Sequence, residues 1–561
     1  MTRARANGEG FRWVKRILTP AEADSLKQFK FDWLDLRRED RRVYLHGTLA
    51  AGAIGFTRNE MLPGGRIETK GLGGIELAHQ AALSGQAGTL RMVTDAAQRR
   101  VDTLHVKDAV QGASITLTLD RRLQYYCDKK LREQVMANDC TSGVAVIMEP
   151  ASGEVLAMSS FPTFDPNEPV DDDETLARTA NRAISWPVEI GSVAKLFSYA
   201  TALETTRLRP ESPSVNCNGP LQIGDHTVTD EHPYGWLPMR SAFWHSSNIC
   251  TVRIARLAGP DALHEYLRKF GFGERTGVRL PREDAGQFPA DDKWSSRHST
   301  HEFAAFGYGF SATAMQLARA TSVIANGGSL VTPRIVRFID RGSGRETPPV
   351  RPGVRVLRPE TAVDMRTMAE GVVLFGTGKK AAVPGFLAGG KTGTAKRLVK
   401  QKGKTGKPVY IKSYNASFVG FAPVNRPELV VVVTLHGSAK MATAVAAPLF
   451  GDLMGHALRV RGVRPIEMPA PKHAPPAEEK GRMLTAAAPN PDDGEPAQAA
   501  AIVIGPKIPD FRGMDKQQVL RSALDLGLPV EMAGKGLVRS QLPQPGRMLA
   551  AGQRIRVQLA R

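Results

Sequence analysis

Glu189-Ile190-Gly191-Ser192-Val193-Ala194-Lys195-Leu196-Phe197 is the stretch on which the reading of this chain turns. A glycine precedes a serine, a lysine follows three positions later, and an apolar run opens behind it. From Ser192 to Ala202 (SVAKLFSYATA) there is neither Gly nor Pro, so the spacing predicts a helix beginning at Ser192. Residues i and i+3 share one helical face, which lets the Lys195 amine reach the Ser192 hydroxyl. A serine needs a nearby base to act as a nucleophile at neutral pH, and a desolvated lysine supplies one. The helix N-terminus also favours developing negative charge. Alone, Ser-x-x-Lys is more often a cap followed by a solvated lysine. The weight therefore falls on what lies downstream.

Two further short patterns stand there. His245-Ser246-Ser247-Asn248 opens a second apolar helix, Ile249 to Leu257, where Ser246 and Asn248 read without context as a cap and its neighbour. Ala388-Gly389-Gly390-Lys391-Thr392-Gly393-Thr394 reads as the start of a strand that another backbone or a ligand can approach closely. Lys391 brings a positive charge, and Thr392 and Thr394 bring hydroxyls at alternate positions, hence on one sheet face. Lys-Thr-Gly recurs at Lys404-Thr405-Gly406, inside a run with seven basic and no acidic residues from Lys396 to Lys412. That second copy sits in a Gly/Pro/Lys loop and reads as a coincidence.

The 561 residues allow two to four domains, and 42% hydrophobic with 23% charged residues describes a folded chain. A net charge of +19 suits nucleic acid, anionic lipid or an anionic wall polymer. No zinc-type spacing, Walker loop or nucleic-acid motif favours the first. The four cysteines (Cys127, Cys140, Cys217, Cys250) look too few and too scattered for a disulfide framework or metal site. His226, His232 and His245 lack ligand spacing and read as ordinary surface or core histidines. With no run of 18 apolar residues and no apolar segment in MTRARANGEGF, neither a membrane anchor nor a signal peptide is expected in the chain as given.

Along the chain, Phe11 to Leu36 reads as helical, with Pro20 in a first turn after Thr19. Gly71-Leu72-Gly73-Gly74-Ile75-Glu76 suggests a turn opening a helix, or equally a plain loop. Ser114 to Asp120 alternates as a strand and runs into a polar helix, Arg121 to Ala137. Val144 to Glu149 and Glu154 to Met158 flank Pro150-Ala151-Ser152-Gly153 as a hairpin. Thr313 to Ala325 is a helix stopped by Asn326-Gly327-Gly328. Asn415 to Ala422 and the valine-rich Leu429 to Leu435 complete three consecutive strand signals, which imply an antiparallel sheet with a buried last strand. From about Arg464 to Ala501 the chain is Pro- and Ala-rich, a tether. A small module with a helix from Asp515 to Leu526 and a strand from Arg554 to Leu559 closes it.

Ser192-x-x-Lys195, Ser246-x-Asn248 and Lys391-Thr392-Gly393 occur in this order, 54 and 145 residues apart. Together they resemble the active-site set of penicillin-binding proteins and serine β-lactamases. Gly143 to Val146, Pro150 to Met158, Pro162 to Asn167, Asn181-Arg182-Ala183 and Gly307-Tyr308-Gly309 resemble the transpeptidase domain of class B penicillin-binding proteins. Gly73-Gly74-Ile75-Glu76 resembles their pedestal domain. Ile508-Pro509-Asp510-Phe511-x-Gly513 with Gln541-x-Pro543-x-Pro545-Gly546 resembles a PASTA domain. The resemblance implies an α+β fold, an antiparallel sheet flanked by helices. It divides the chain into a partial pedestal (1–110), a transpeptidase domain (111–463), a Pro/Ala-rich linker (464–502) and a small α+β PASTA-like module (503–561). Two departures stand out. Ile190 replaces the family's usual proline, and the cytoplasmic tail, membrane helix and Arg-Gly-rich pedestal motif are missing, as though the N-terminus were truncated.

The function implied is a peptidoglycan D,D-transpeptidase, a penicillin target serving septal wall synthesis. Ser192 would attack the penultimate D-alanine carbonyl of a stem peptide, with Lys195 taking its proton and Ser246 relaying one to the leaving amine. Asn248 would bind the substrate backbone, and Lys391, Thr392, Gly393 and Thr394 the terminal carboxylate. No metal or cofactor is implied. The implied partners are stem peptides or lipid-linked precursor, β-lactam inhibitors, a membrane-embedded glycosyltransferase and division proteins, with no nucleic acid. The implied location is the inner membrane, with the catalytic domain on the periplasmic face. Alternatives on the same residues are a D,D-carboxypeptidase or β-lactamase, which would use water as acceptor, and a non-catalytic penicillin sensor or wall-binding scaffold. Ser-Ser-Asn in place of Ser-Asp-Asn, and the extra domains, disfavour a small secreted hydrolase. The roughly 110 residues before Gly112 are too few for a glycosyltransferase domain.

Overall fold

The valine run Val430–Val433 runs through the middle of a five-stranded sheet and is buried on both faces. The computed structural model describes residues 14–465 and 508–560, apart from 17, 30, 32–33, 35, 37–38, 40, 63–66, 96–99, 213–214, 295–297, 403–407, 526–527, 529 and 546–554. Most of the tether and the second Lys-Thr-Gly copy therefore lie outside the described residues.

Helix α1 (Arg121–Ala137) starts on Asp120, whose carboxylate accepts from the N–H groups of Arg122 and Leu123. It leads into the hairpin β1 (Ser142–Met148) and β2 (Val155–Phe161). Then come α2 (Lys195–Thr205), α3 (Asn248–Ala258), α4 (Ala314–Ala325) and α5 (Pro359–Leu374). Strands β3 (Gly389–Lys402), β4 (Pro408–Ala422) and β5 (Leu429–Ser438) precede α6 (Ala442–Val460). The sheet order is β3-β4-β5-β1-β2 with every neighbouring pair antiparallel. This is the antiparallel sheet that the strand spacing implied.

Strand periodicity sorts the core into two layers. Val430 and Val432 join Val144, Val146, Phe197 of α2, Leu317 of α4 and Met368 of α5 on one face. Val431 and Val433 join Ala145, Ile147, Leu131 of α1 and Phe450 of α6 on the other. Each such side chain contributes about 1.5–3 kcal/mol of burial, so β5 has no face on which a polar residue is cheap. Because β3 is at the sheet edge, one side of its backbone stays open. Helix α2 lies against this assembly with Leu196, Phe197, Tyr199, Ala200 and Leu203 all buried. The polar Ser198 and Thr201 are buried with them, their hydroxyls donating to the Ala305 and Phe197 carbonyls, as an interior helix requires.

Two sequence expectations are corrected. Among the described residues, the helix expected over Phe11–Leu36 is found at Pro20–Lys27, where Thr19 and Glu22 form a capping box. None of its residues is buried, so it has no apolar stripe to extend it. The helix expected from Ser192 begins instead at Lys195, behind a single 3₁₀ turn over Gly191–Ala194. Gly191 enters that turn at φ +51°, a left-handed conformation that an ordinary residue resists.

Gly74 opens a short helix, Gly74–Ala78, whose buried Glu76 accepts from Arg42 Nε at 2.6 Å. This N-terminal region meets α1 where the Ala50 N–H donates to Asp128 Oδ2 at 3.2 Å. The C-terminal module has its own core, with Ile508, Phe511, Val519, Ile555 and Val557 buried. Its strands Val530–Gly534 and Leu537–Leu542 flank Ile555–Ala560.

Candidate active site

Three elements converge at the open edge of β3. The 3₁₀ turn presents a half-buried Ser192, and Lys195, one turn later, is fully buried. The Lys195 Nζ bonds to the Ser246 carbonyl at 2.6 Å, to Asn248 Oδ1 at 2.7 Å and to Ser246 Oγ at 3.2 Å. None of these three bonds goes to Ser192, although spacing alone paired the two residues. The amine is satisfied deeper in the site, and the serine faces its open side. The two shorter bonds use both N–H groups of a neutral amine, leaving its lone pair for a hydroxyl.

Lys391 Nζ donates to Ser246 Oγ at 2.8 Å, so the hydroxyl of Ser246 lies between two fully buried lysines. Burial pushes Lys195 down to about 7, against the pull of the carboxylates of Asp230 and Glu231. Burial, reinforced by the charge of Lys195, pushes Lys391 well below the usual lysine range. Two ammonium groups around one hydroxyl disfavour each other, so the pair holds fewer than two protons readily. Ser246 itself sits at φ +59°, uncommon for a residue with a side chain and a mark of a constrained turn.

The turn is held from behind. Ser247, not Ser246, caps α3, its Oγ accepting from the Cys250 N–H at 3.0 Å. Asp230 bonds the same turn, accepting from Ser247 Oγ and from the Asn248 N–H, each at 2.5 Å. Cys250 forms a disulfide with Cys217, a single bond where the sequence had shown no disulfide framework. Their 33-residue separation hid the contact, which joins the first turn of α3 to the strand at Val215–Asn216. Closing a loop of that length contributes about 4 kcal/mol. Reduction, or Cys250→Ser, is therefore expected to lower the Tm by several degrees in a thermal melt with and without reductant. An unchanged Tm would remove the disulfide from the set of supports for this turn.

On β3 the alternation is sharper than the sequence suggested. Lys391 and Gly393 face the serine turn. A Cβ on Gly393 would lie 2.5 Å from the Ile190 carbonyl oxygen, so only glycine permits this approach. Thr392 and Thr394 turn the other way. Thr392 Oγ1 shares a 2.9 Å hydrogen bond with Thr377 Oγ1, and Thr394 Oγ1 accepts from the Ala442 N–H at 3.2 Å, at the start of α6. Thr394 therefore offers its backbone more readily than its hydroxyl. The Lys396 backbone hydrogen-bonds the phenol of Tyr308 across the open edge. The strand period of two then turns the Thr394 backbone toward that same edge. The Gly307 carbonyl accepts from the Gly191 N–H at 3.1 Å, fixing the Gly307-Tyr308-Gly309 segment beside the nucleophile.

The structure thus gathers Ser192, Lys195, Ser246, Asn248, Lys391 and Gly393 directly, and brings Thr392 and Thr394 to the same edge by their backbone. Sequence reasoning missed Asp230, 18 residues before Asn248 in a turn-rich segment without a pattern of its own. It also missed Thr377, for which Gly376-Thr377-Gly378 was the available signal of a tight turn. Among the described residues no cluster of three or more His, Cys, Asp or Glu could hold a metal.

Comparison with known proteins adds independent findings. Residues 143–455 match the penicillin binding protein transpeptidase domain, 506–561 a PASTA domain, and 10–117 the penicillin-binding protein dimerisation domain. The chain is 33% identical over 481 residues to penicillin-binding protein PbpB of Mycolicibacterium smegmatis, covering 83% of this chain and 72% of that one. It is 32% identical over 469 residues to peptidoglycan D,D-transpeptidase FtsI of Escherichia coli K12, covering 82% and 75%. Among solved structures, penicillin-binding protein 3 of Mycobacterium tuberculosis in complex with aztreonam superposes with a TM-score of 0.66 at 31% identity. That match covers 76% of this chain and 92% of the other.

Proposed function

Because the chain belongs to the class B penicillin-binding proteins, as a peptidoglycan D,D-transpeptidase of the FtsI kind, we propose that its acyl transfer runs through Ser192, Lys195, Ser246 and the edge of β3. The observation that carries this reading is the hydroxyl of Ser246 held between the buried amines of Lys195 and Lys391. Ser192 Oγ attacks the carbonyl of the penultimate D-alanine, and its proton passes to the lone pair of Lys195. The oxyanion is held by the backbone N–H groups of Ser192 and Thr394, each donor contributing about 3 kcal/mol. Lys391 and the Thr392–Thr394 backbone receive the terminal carboxylate, and Asn248 the substrate backbone. Collapse expels the terminal D-alanine, whose nitrogen takes a proton through Ser246. An amine of a second stem peptide then attacks the ester, and Ser192 recovers its proton. A β-lactam follows the first half of this path and stays attached.

Incubation with a fluorescent penicillin followed by intact-mass analysis tests acylation. Release of D-alanine from a stem peptide, with and without an amine acceptor, tests transfer. Incorporation of the acceptor supports the transpeptidase. Hydrolysis alone would make the protein a carboxypeptidase, and failure to acylate would leave a wall-binding scaffold.

The site works outside the cytoplasm, and the Cys217–Cys250 disulfide supports this because such bonds persist in oxidising compartments. No helix among the described residues is long and apolar enough to cross a membrane. The enzyme acts at the periplasmic face of the inner membrane beside a membrane-embedded glycosyltransferase and division proteins. The C-terminal module localises it and does no chemistry. From Val503 to Arg561 that module carries ten Lys and Arg against four Asp and Glu, which suits an anionic wall polymer. Limited proteolysis in the Pro/Ala-rich tether is expected to release it folded while penicillin acylation is retained. A chain ending near Gly462 that no longer acylates would show that the tail supports the active site.

A further inference from the structure

Asp230 stands two residues beyond the short hairpin strand His226–Val228, well away in sequence from the three motifs, yet its carboxylate is anchored in one of them. Its Oδ2 accepts from Ser247 Oγ at 2.5 Å, and its Oδ1 accepts from the N–H groups of Asn248 at 2.5 Å and Ile249 at 3.3 Å. The preceding Thr229 carbonyl accepts from Asn248 Nδ2 at 3.3 Å. Asn248 is therefore gripped at both its backbone and its side chain by residues 229 and 230. The grip aims Asn248 Oδ1 at Lys195 Nζ, 2.7 Å away. Through Ser247, which Asp230 also holds, it fixes the residue two before Asn248, Ser246, in the left-handed conformation that sets its hydroxyl between the two lysines. A cap brought in from a distant loop is unusual here because Ser247 already caps the helix. The carboxylate adds orientation and charge that the helix itself does not need.

We propose that Asp230 is a positioning residue for acylation, its carboxylate locking the Ser246–Asn248 turn against Lys195. This rests on Lys195 being the group that accepts the proton of Ser192.

Charge gives the proposal a readout that a purely structural role would lack. The charged groups bearing on Lys195 are Lys391 from β3 and Asp230 and Glu231 from the loop. Tyr199, on the next turn of α2, and Tyr234 also feel Asp230, and both phenols are pushed up by burial. Neutral Lys195 is the active form, so acylation rises with pH through its titration. Burial alone would carry that titration low and leave a weak base, and a negative charge nearby opposes the drop. Removing the charge moves the acid limb to lower pH and leaves a poorer base on the plateau.

The test is the second-order rate of acylation by a chromogenic β-lactam between pH 5 and 9, for the full chain and its variants. Asp230→Asn keeps an oxygen acceptor for the two N–H groups and is expected to fold with an unchanged Tm. Its acid limb should move down by about one pH unit, with a plateau about tenfold lower. Asp230→Ala loses the grip as well and should fall about a hundredfold. Glu231→Gln, which removes a charge that makes no bond to the turn, should leave the plateau within about twofold. A profile for Asp230→Asn that superimposes on the parent's would overturn the proposal. So would a plateau loss in Glu231→Gln equal to that of Asp230→Asn, since the effect would then be charge alone. A parent protein that does not acylate would instead refute the acyl-transfer reading, with no dependence on Asp230.

Discussion

Replacing Ser192 with alanine abolishes covalent labelling by a fluorescent penicillin, with acylation slowed on the order of 10⁶-fold. The expectation rests on convergence rather than on the Ser-x-x-Lys pair. Gly191 at φ +51° and the 3₁₀ turn present Ser192 at the open side of the site. The missing side chain of Gly393 lets the edge of β3 come within contact of the Ile190 carbonyl just behind it. Lys195 waits one turn on, with its amine held near a neutral state by burial. Among the described residues no other serine sits three residues before a buried lysine with both distal motifs beside it. Ser192 is half-buried, so the alanine variant should fold with a stability change well under 1 kcal/mol. Intact mass after penicillin treatment reads the outcome directly. An adduct that survives in Ser192→Ala would place the nucleophile elsewhere.

What was legible in the sequence divides along a physical line. The sheet was legible because β5 is a nearly unbroken valine run and because strand spacing left room only for hairpin connections. The three motifs were legible because each marks the start of its element, where Gly, Ser and Asn have local reasons to appear. The 3₁₀ turn was not, since the apolar pattern from Ser192 to Ala202 is equally that of a helix and only tertiary contact with β3 tightens its first turn. The pairing of Cys217 with Cys250 and the reach of Asp230 to the Asn248 N–H were also invisible, being contacts across 33 and 18 residues of irregular chain. The alternation on β3 was legible as period two, but not its polarity. Thr394 turns its hydroxyl to the Ala442 N–H because α6 begins there and leaves its first N–H groups to be satisfied. Local signals named the residues. The bonds that orient them belong to segments with no signal of their own.

Lys391→Ala and Lys404→Ala should separate by at least two orders of magnitude in acylation rate, although both lysines begin a Lys-Thr-Gly tripeptide. Lys391 is fully buried, donates to Ser246 Oγ at 2.8 Å, and stands opposite Lys195. Its removal takes away the charge that receives the substrate carboxylate. It also takes away the second cation that disfavours a proton on Lys195, so the base would spend more of its time charged at neutral pH. A charged donor lost from such a site costs about 3 kcal/mol, a factor of 10² to 10³, and the weakened base lowers the rate further. Lys404 sits in a run of seven basic residues between Lys396 and Lys412, where loss of one charge changes the field little. Its alanine variant should stay within about threefold of the parent, below 1 kcal/mol. Because Lys391→Ala also empties buried space, its Tm should be measured beside its rate, and Lys391→Met, which fills the space without charge, should be as slow. Equal losses at Lys391 and Lys404, with both variants folded, would mean that the carboxylate-binding strand is not β3.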